Sequence, residues 1–346
     1  MVAAPLPAQR RAYDVATMHY GCSIYGLGVL ANRPIPTVPR STITTTDVRV
    51  SFGVLPEWFD SLEPHQVETT YVTDYGAACD TPALVFSRLH GGEFYRFSYA
   101  DKTEFVVDQA GREIWCGWPE PLTLEDASTY LLGPVMGFVL LLRGLVCLHA
   151  SAIVVDGHAI ALIGPAGAGK STTAAAFAAR GFNVLAEDVV TLDDRGDDFL
   201  VRPAYPCIRL WPASAATLYG SSSALPPLTP NWDKCYLDLT RGPVLETSRF
   251  ENTPRPLAAI YLLGDRRDVP EAPFVTPLDR AEGLMSLVAN TYATKLMDKH
   301  MRAREFELLS RVLERVPLRR VTPHSDLARL ANLCDRILTD FKSLDV

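Results

Sequence analysis

The chain has 346 residues, with 33 lysines and arginines against 40 aspartates and glutamates and a net charge of −7. Apolar residues make up 48% and charged ones 21%, the balance of a soluble globular chain long enough for two domains and a large core. The acidic excess argues against a nucleic-acid partner, which needs a clustered basic surface.

Residues 1–12 carry Pro5, Pro7 and adjacent arginines, a composition that predicts an unstructured or processed tail. From Asp14 to about Pro121 short strands alternate with turns. Residues 95–99 alternate apolar and polar side chains, and 104–107 are strand-like. Residues 108–112 have turn composition before Ile114-Trp115-Cys116, so a hairpin is expected there. Residues 1–122 are accordingly read as a smaller β-rich N-terminal domain and 123–346 as an α/β domain. A helix is predicted over 124–143. Glu125 and Asp126 sit in its first turn, where the helix dipole favours them, and Gly133, Pro134 and Gly137 are expected to bend or interrupt it. Its most apolar part, 131–142, is too short for a membrane span and reads as a buried helix.

Strand, turn and helix then alternate. Strands are expected near 148–155, at 159–163 and at 183–186, with a helix over 172–180 closed by Gly181. Residues 215–256 are rich in proline, serine and threonine in part and read as loop, and 257–263 as a core strand. Residues 301–316 have helical spacing, with Phe306, Leu309, Ser310 and Leu313 on one face. Pro317 stops that helix, 318–321 read as a strand, and 326–341 as a helix with Leu327, Leu330, Leu333 and Ile337 on one stripe. The arginine-rich run 311–320 reads as a solvated helix face and strand end, or else as a contact for phosphate or acidic peptide. Asp193, Asp194, Asp197 and Asp198 flank Arg195-Gly196 as a solvated turn. Seven cysteines, at 22, 79, 116, 147, 207, 235 and 334, show no C-x-x-C pair. Their odd number and a start without a signal-peptide pattern lead us to expect a cytoplasmic location.

Gly164-Pro165-Ala166-Gly167-Ala168-Gly169-Lys170-Ser171 fits the phosphate-binding pattern G-x-x-x-x-G-K-[ST] at every fixed position. Glycines let backbone N–H groups turn toward phosphate oxygens. Lys170 is expected to reach the β- and γ-phosphates of ATP, Ser171 to ligate Mg²⁺, and the helix opening at Thr172 to add its positive end. An apolar run before the loop and an alanine-rich run after it supply the strand and helix the motif needs. Sixteen to eighteen residues beyond Lys170, the run Phe182-Asn183-Val184-Leu185-Ala186 ends in Glu187-Asp188. Carboxylates at a strand end beside such a loop suit a metal ligand and a base that accepts a proton from an attacking hydroxyl.

These residues resemble the HPr kinase/phosphorylase superfamily over roughly 149–209. His149 stands fifteen residues before Gly164, the family's spacing, and Arg180-Gly181 and Ala186-Glu187-Asp188-Val189-Val190 fall on family segments. The resemblance implies an α/β P-loop kinase core, with Glu187 as the base that contacts the target serine, Asp188 associated with magnesium, and His149 and Arg209 in the site. Glu187 stands where the family has aspartate. Cys207-Ile208-Arg209-Leu210-Trp211-Pro212 replaces the family's Glu-x-Arg-Gly-Leu-Gly signature. The whole chain is more similar to HPr-kinase-like proteins of peptide natural-product clusters, including lasso-peptide kinases. It shares with them Tyr20-Gly21, Tyr25-Gly26-Leu27, Leu148-His149-Ala150-Ser151 and Trp232-Asp233-Lys234. Some of those relatives phosphorylate the C-terminal residue of a precursor peptide, typically serine.

Arg209 reads either as neutralising phosphate charge or as a strand-end salt bridge. Lys234 reads as a phosphate ligand or a surface lysine. Trp211 is expected in the core rather than stacked on adenine. The function expected is an ATP- and Mg²⁺-dependent kinase acting on a peptide or protein hydroxyl. A small-molecule kinase and a nucleotide-binding regulator or ATPase are the alternatives. No nucleic acid or membrane is expected as partner, and a homo-oligomer is open.

Overall fold

The computed structural model describes residues 19–73, 82–241 and 244–344; the expectation for residues 1–12 lies outside them, as does Cys79. The fold is mixed α/β with two eight-stranded sheets and a three-stranded one. The first sheet runs, edge to edge, Tyr20–Ile24, Leu27–Ala31, Val48–Phe52, Glu113–Gly117, Glu104–Asp108, Phe94–Tyr99, Leu84–Leu89 and Val67–Val72. Its inward face follows from period-2 alternation: Val48, Val50 and Phe52 are fully buried while Arg49 between them is exposed. The predicted hairpin pairs Val107 with Ile114.

The next segment joins the two halves. Thr123 accepts from the Asp126 N–H while the Asp126 carboxylate accepts from the Thr123 N–H, a reciprocal cap that starts the helix Leu124–Tyr130. At Leu131–Val135 the turns widen to a π-helix around Gly133 and Pro134, since proline has no N–H to offer the regular ladder. The helix resumes at Met136–Leu142. The continuous span Leu124–Leu142 matches the predicted helix and, taken whole, is apolar enough to cross a membrane by length and composition, yet 78% of its most apolar window is buried inside the protein. Phe138 sets its ring edge-on against Phe86, Tyr95 and Phe97 of the first sheet, at centroid distances of 5.0, 4.9 and 5.6 Å. Residues of both large sheets share one apolar core around this helix.

In the second sheet, Val146–Val155 pairs antiparallel with His158–Ile163, which lies parallel to Arg255–Leu263. The other edge of Val146–Val155 leads through Val189–Asp194 and Phe199–Val201 back to the start of Arg255–Leu263, so the path closes into a ring. Leu318–Thr322 and Phe274–Pro277 extend it. The helix Lys170–Ala179 follows the ring strand His158–Ile163.

Four sequence expectations change. Residues 215–256 are not all loop: they continue the helix Pro212–Tyr219 and hold the strands Pro227–Thr229 and Trp232–Asp238, which form the third sheet with Cys207–Leu210. Only Cys235 and Leu237 are buried in Trp232–Asp238, too short an apolar signal to stand out among prolines and serines. In the helix Lys299–Arg315 the buried stripe is Glu305, Leu308, Leu309 and Val312, and Phe306 is 54% exposed. The face is rotated by one residue, about 100°, because a glutamate occupies a buried position that apolar counting skips. Leu327 leaves the expected stripe and is exposed. The acidic turn and the basic run meet: Arg311 pairs with Asp194 and Arg315 lies 4.0 Å from the exposed Asp197, while Asp193 pairs with Arg202 outside the run.

Candidate active site

The loop 164–169 turns directly from a fully buried strand into the helix Lys170–Ala179. Gly164 lies against the next strand, where an added Cβ would come within 2.8 Å of the Leu263 carbonyl oxygen. Gly169, the residue before the helix, has φ of 101° and gives it no side-chain cap. The first N–H groups of the helix therefore face the cleft without a side-chain partner, the arrangement in which an anion is stabilised. The Gly164 N–H donates to Asn290 Oδ1 at 2.9 Å. Lys170 Nζ donates to the Gly164 and Pro165 carbonyls at 2.7 and 3.3 Å. Its pKa is lowered by burial, an effect that Asp188 and Glu187 partly offset.

Glu187 and Asp188 form the turn between the strands Val184–Ala186 and Val189–Asp194. Asp188 takes a left-handed φ of 68°, which aspartate tolerates better than most side chains. Both acids are thus held between two strands rather than at a free strand end. Glu187 is 5% exposed. Its Oε1 accepts from the Ser171 hydroxyl at 2.7 Å, while its Oε2 is buried with no hydrogen-bond partner and lies 3.6 Å from Arg209 Nε. Burial pushes its pKa up, and Arg209 offsets this only in part. Asp188 goes the other way. Burial would raise it, but Arg209 Nη2 at 2.6 Å from Oδ2 and His149 Nδ1 at 3.3 Å from Oδ1 hold it well below the carboxylate range. Tyr292 donates from its hydroxyl to Asp188 Oδ2 at 3.3 Å.

His149, Lys170, Ser171, Thr172, Glu187, Asp188 and Arg209 therefore converge, with Ala166, Gly167 and Gly169, on one cleft of about 340 Å³. The Ser171 hydroxyl meets Glu187, not Asp188. Gly164, Pro165 and Ala168 support this cleft from the loop without lining it. Among the described residues no group of three or more His, Cys, Asp or Glu side chains forms a metal cage. A site of one hydroxyl and one or two carboxylates suits Mg²⁺ all the same, since that ion completes its octahedron with phosphate oxygens and water. The unpartnered Glu187 Oε2 beside Ser171 is an atom that a cation would satisfy.

No family model matches the chain, and no curated protein does. Among solved structures it is similar to the Hpr(Ser) kinase/phosphatase from Coxiella burnetii, with 12% identity over 56% of this chain and 89% of that one, at a TM-score of 0.32. A likeness at that level carries no argument about activity.

Trp211 corrects the sequence reading. It is 56% exposed and lines the cleft with Lys234, whose Nζ lies 5.1 Å from the indole centroid. It stays out of the core because Pro212 starts a helix directly after it. Three residues went unrecognised in the sequence. Asn290 and Tyr292 reach the site from the end of the helix Arg280–Ala289, and Arg266 lines the cleft from beyond the strand Arg255–Leu263. One signal for Tyr292 was present. Gly133 and Gly137 are one helical turn apart, and an added Cβ would meet the Tyr292 hydroxyl at 3.1 Å and its ring at 2.6 Å.

Proposed function

We propose that the protein is an ATP- and Mg²⁺-dependent phosphotransferase that moves the γ-phosphoryl group to a hydroxyl, with serine of a peptide or protein as the leading acceptor. The observation that carries this reading is the convergence, in one cleft, of an uncapped helix start, a lysine, two carboxylates of opposite pKa shift and an arginine. Bound ATP·Mg²⁺ supplies an electrophilic phosphorus and an ADP leaving group. The loop N–H groups and Lys170, once its ammonium leaves the Gly164 and Pro165 carbonyls, bind the β- and γ-phosphates. Ser171 and Glu187 would hold the metal. Asp188 stays ionised and accepts the hydroxyl proton as the acceptor oxygen bonds to phosphorus and the bridging P–O bond to ADP breaks. His149 orients the Asp188 carboxylate, and Arg209 offsets charge on both acids and on the transferring group.

This order of the two acids is the reverse of the one implied by the family resemblance, and the reason is the Ser171–Glu187 hydrogen bond. The reading implies a cytoplasmic enzyme, and a precursor peptide ending in serine is the first acceptor to try. Transfer of labelled γ-phosphate to a peptide library tests it. Lys170→Ala, folded by circular dichroism, is expected to lose about 10²–10³-fold in transfer, the scale of removing one charge-stabilising donor. Unchanged transfer, or ATP hydrolysis with no acceptor labelled, refutes the kinase reading.

A further inference from the structure

Five large apolar side chains are exposed among the described residues, and two of them, Trp211 and Leu327, line the phosphate-loop cleft. Both stand where helices begin. Trp211 precedes the helix Pro212–Tyr219, and Leu327 opens the short turn that leads into the helix Leu330–Lys342. Those two helices both pack against the phosphate-loop helix Lys170–Ala179. The first is also tied to its start by the hydrogen bond between Thr172 Oγ1 and Ser214 Oγ, at 2.9 Å. Each flank of the phosphate-loop helix thus presents one exposed apolar side chain to the same opening. The Lys234 ammonium over the indole fixes the orientation of the ring. Water-exposed apolar groups at a cleft that already holds phosphate-binding groups mark the site of a ligand's apolar part.

We propose that Trp211 and Leu327 form a nucleobase clamp, in which the indole stacks on the purine and the leucine closes its other face. This rests on the nucleotide reading of the loop 164–171 and adds the recognition of the base to it. A nucleobase is favoured over an acceptor peptide because Trp211 adjoins the helix whose Ser214 is bonded to Thr172, and Leu327 leads into a helix packed on the same phosphate-loop helix. Trp211 and Leu327 line the same cleft as the loop, within the proposed reach of a nucleoside whose phosphates it holds, whereas the acceptor must reach Asp188 and His149. An aromatic stack of this kind is sequence-tolerant, since every base has a π-face. Purines with their larger area are expected to bind more tightly than pyrimidines.

The test is calorimetric titration of the full chain with Mg·ATP and, separately, with Mg·tripolyphosphate, which carries the phosphates and no base. Wild type is expected to bind both. Trp211→Ala weakens Mg·ATP by about 10- to 100-fold and leaves Mg·tripolyphosphate within about twofold. Trp211→Phe keeps most of the ATP affinity. Lys170→Ala weakens both ligands. An equal loss of both ligands in Trp211→Ala overturns the clamp while the phosphate loop stands. So does an unchanged ATP affinity, including the case where peptide binding falls instead and the indole serves the acceptor. If wild type binds neither ligand, the phosphate-loop reading falls and the clamp with it.

Discussion

Replacing Arg209 with methionine removes the guanidinium that touches both carboxylates while keeping an apolar stem of similar length. Arg209, Glu187 and Asp188 have side chains only 10%, 6% and 20% exposed, so solvent screens them little. Removing one partner from a buried ion pair costs about 3–5 kcal/mol. His149, Lys170 and Lys234 remain near the acids and compensate in part, which sets the expectation at the lower end, about 3 kcal/mol. For a chain of this size that corresponds to a fall in Tm of about 5 °C.

The pH dependence carries the sharper test. In wild type Asp188 has a lowered pKa, so its contribution is present above the unfolded aspartate value and lost as pH falls through its folded value. Without Arg209, Asp188 loses the largest charge that lowers its pKa and Glu187 its main offset against burial, so both pKa values move up. Groups with raised pKa values favour the native state below the unfolded carboxylate value of about 4, and that contribution is lost as pH rises through their folded values. Denaturant unfolding at pH 7.5 and pH 5 should therefore show a wide gap between the two proteins at the higher pH and a narrower one at the lower. Adding Asp188→Asn to the variant should restore part of the loss at pH 7.5. A gap below about 1 kcal/mol, or one of equal size at both pH values, would refute the account of Arg209 as the charge that balances this pair.

Two further substitutions probe the packing. Gly137→Ala gains about 1 kcal/mol of helix propensity but drives a methyl group to 2.6 Å from the Tyr292 ring, an overpacking that costs about 1–3 kcal/mol. Net destabilisation and weaker phosphotransfer are expected, and a variant more stable than wild type in thermal unfolding would show that Tyr292 is free to move. Phe306→Ser should change stability by less than about 0.5 kcal/mol, whereas Leu309→Ala should cost about 2–5 kcal/mol. Comparable losses in the two variants, read by urea unfolding, would restore the helix face expected from spacing alone.

The strand and the helix that flank the loop 164–169 were legible because an apolar run, a glycine-rich turn and an alanine-rich run leave little conformational choice. The interruption at Gly133 and Pro134, a π-turn in the structure, was legible because proline cannot join the regular ladder. The pairing inside the site was not. Which acid meets Ser171 depends on the left-handed turn at Asp188 and on the register of Val189–Asp194 against Val146–Val155, where Val189 lies opposite His149. Tyr292 and Asn290 arrive from more than a hundred residues away, and no local pattern announces such an approach. Trp211 was misjudged because hydrophobic size argues for burial by default, while its position before Pro212 is a backbone matter. The helix Lys299–Arg315 was misjudged for the opposite reason, since Glu305 occupies a place that charge argues against.

The helix Leu124–Leu142 lies in one apolar core with both large sheets, and its π-turn brings Gly133 within 3.3 Å, from an added Cβ, of the Asp188 carboxylate. The first sheet also reaches across it: the Tyr25 hydroxyl donates to the Leu132 carbonyl at 2.7 Å. The first sheet is therefore linked to Glu187 and Asp188 through this helix. Substitution on the inner face of that sheet should reach Asp188 through these contacts, whereas the exposed residues of its outer face have no such route. In the descent of such a protein, novelty should accumulate on that outer surface, and the hinge-like turn around Pro134 should set how much of it the chemistry notices.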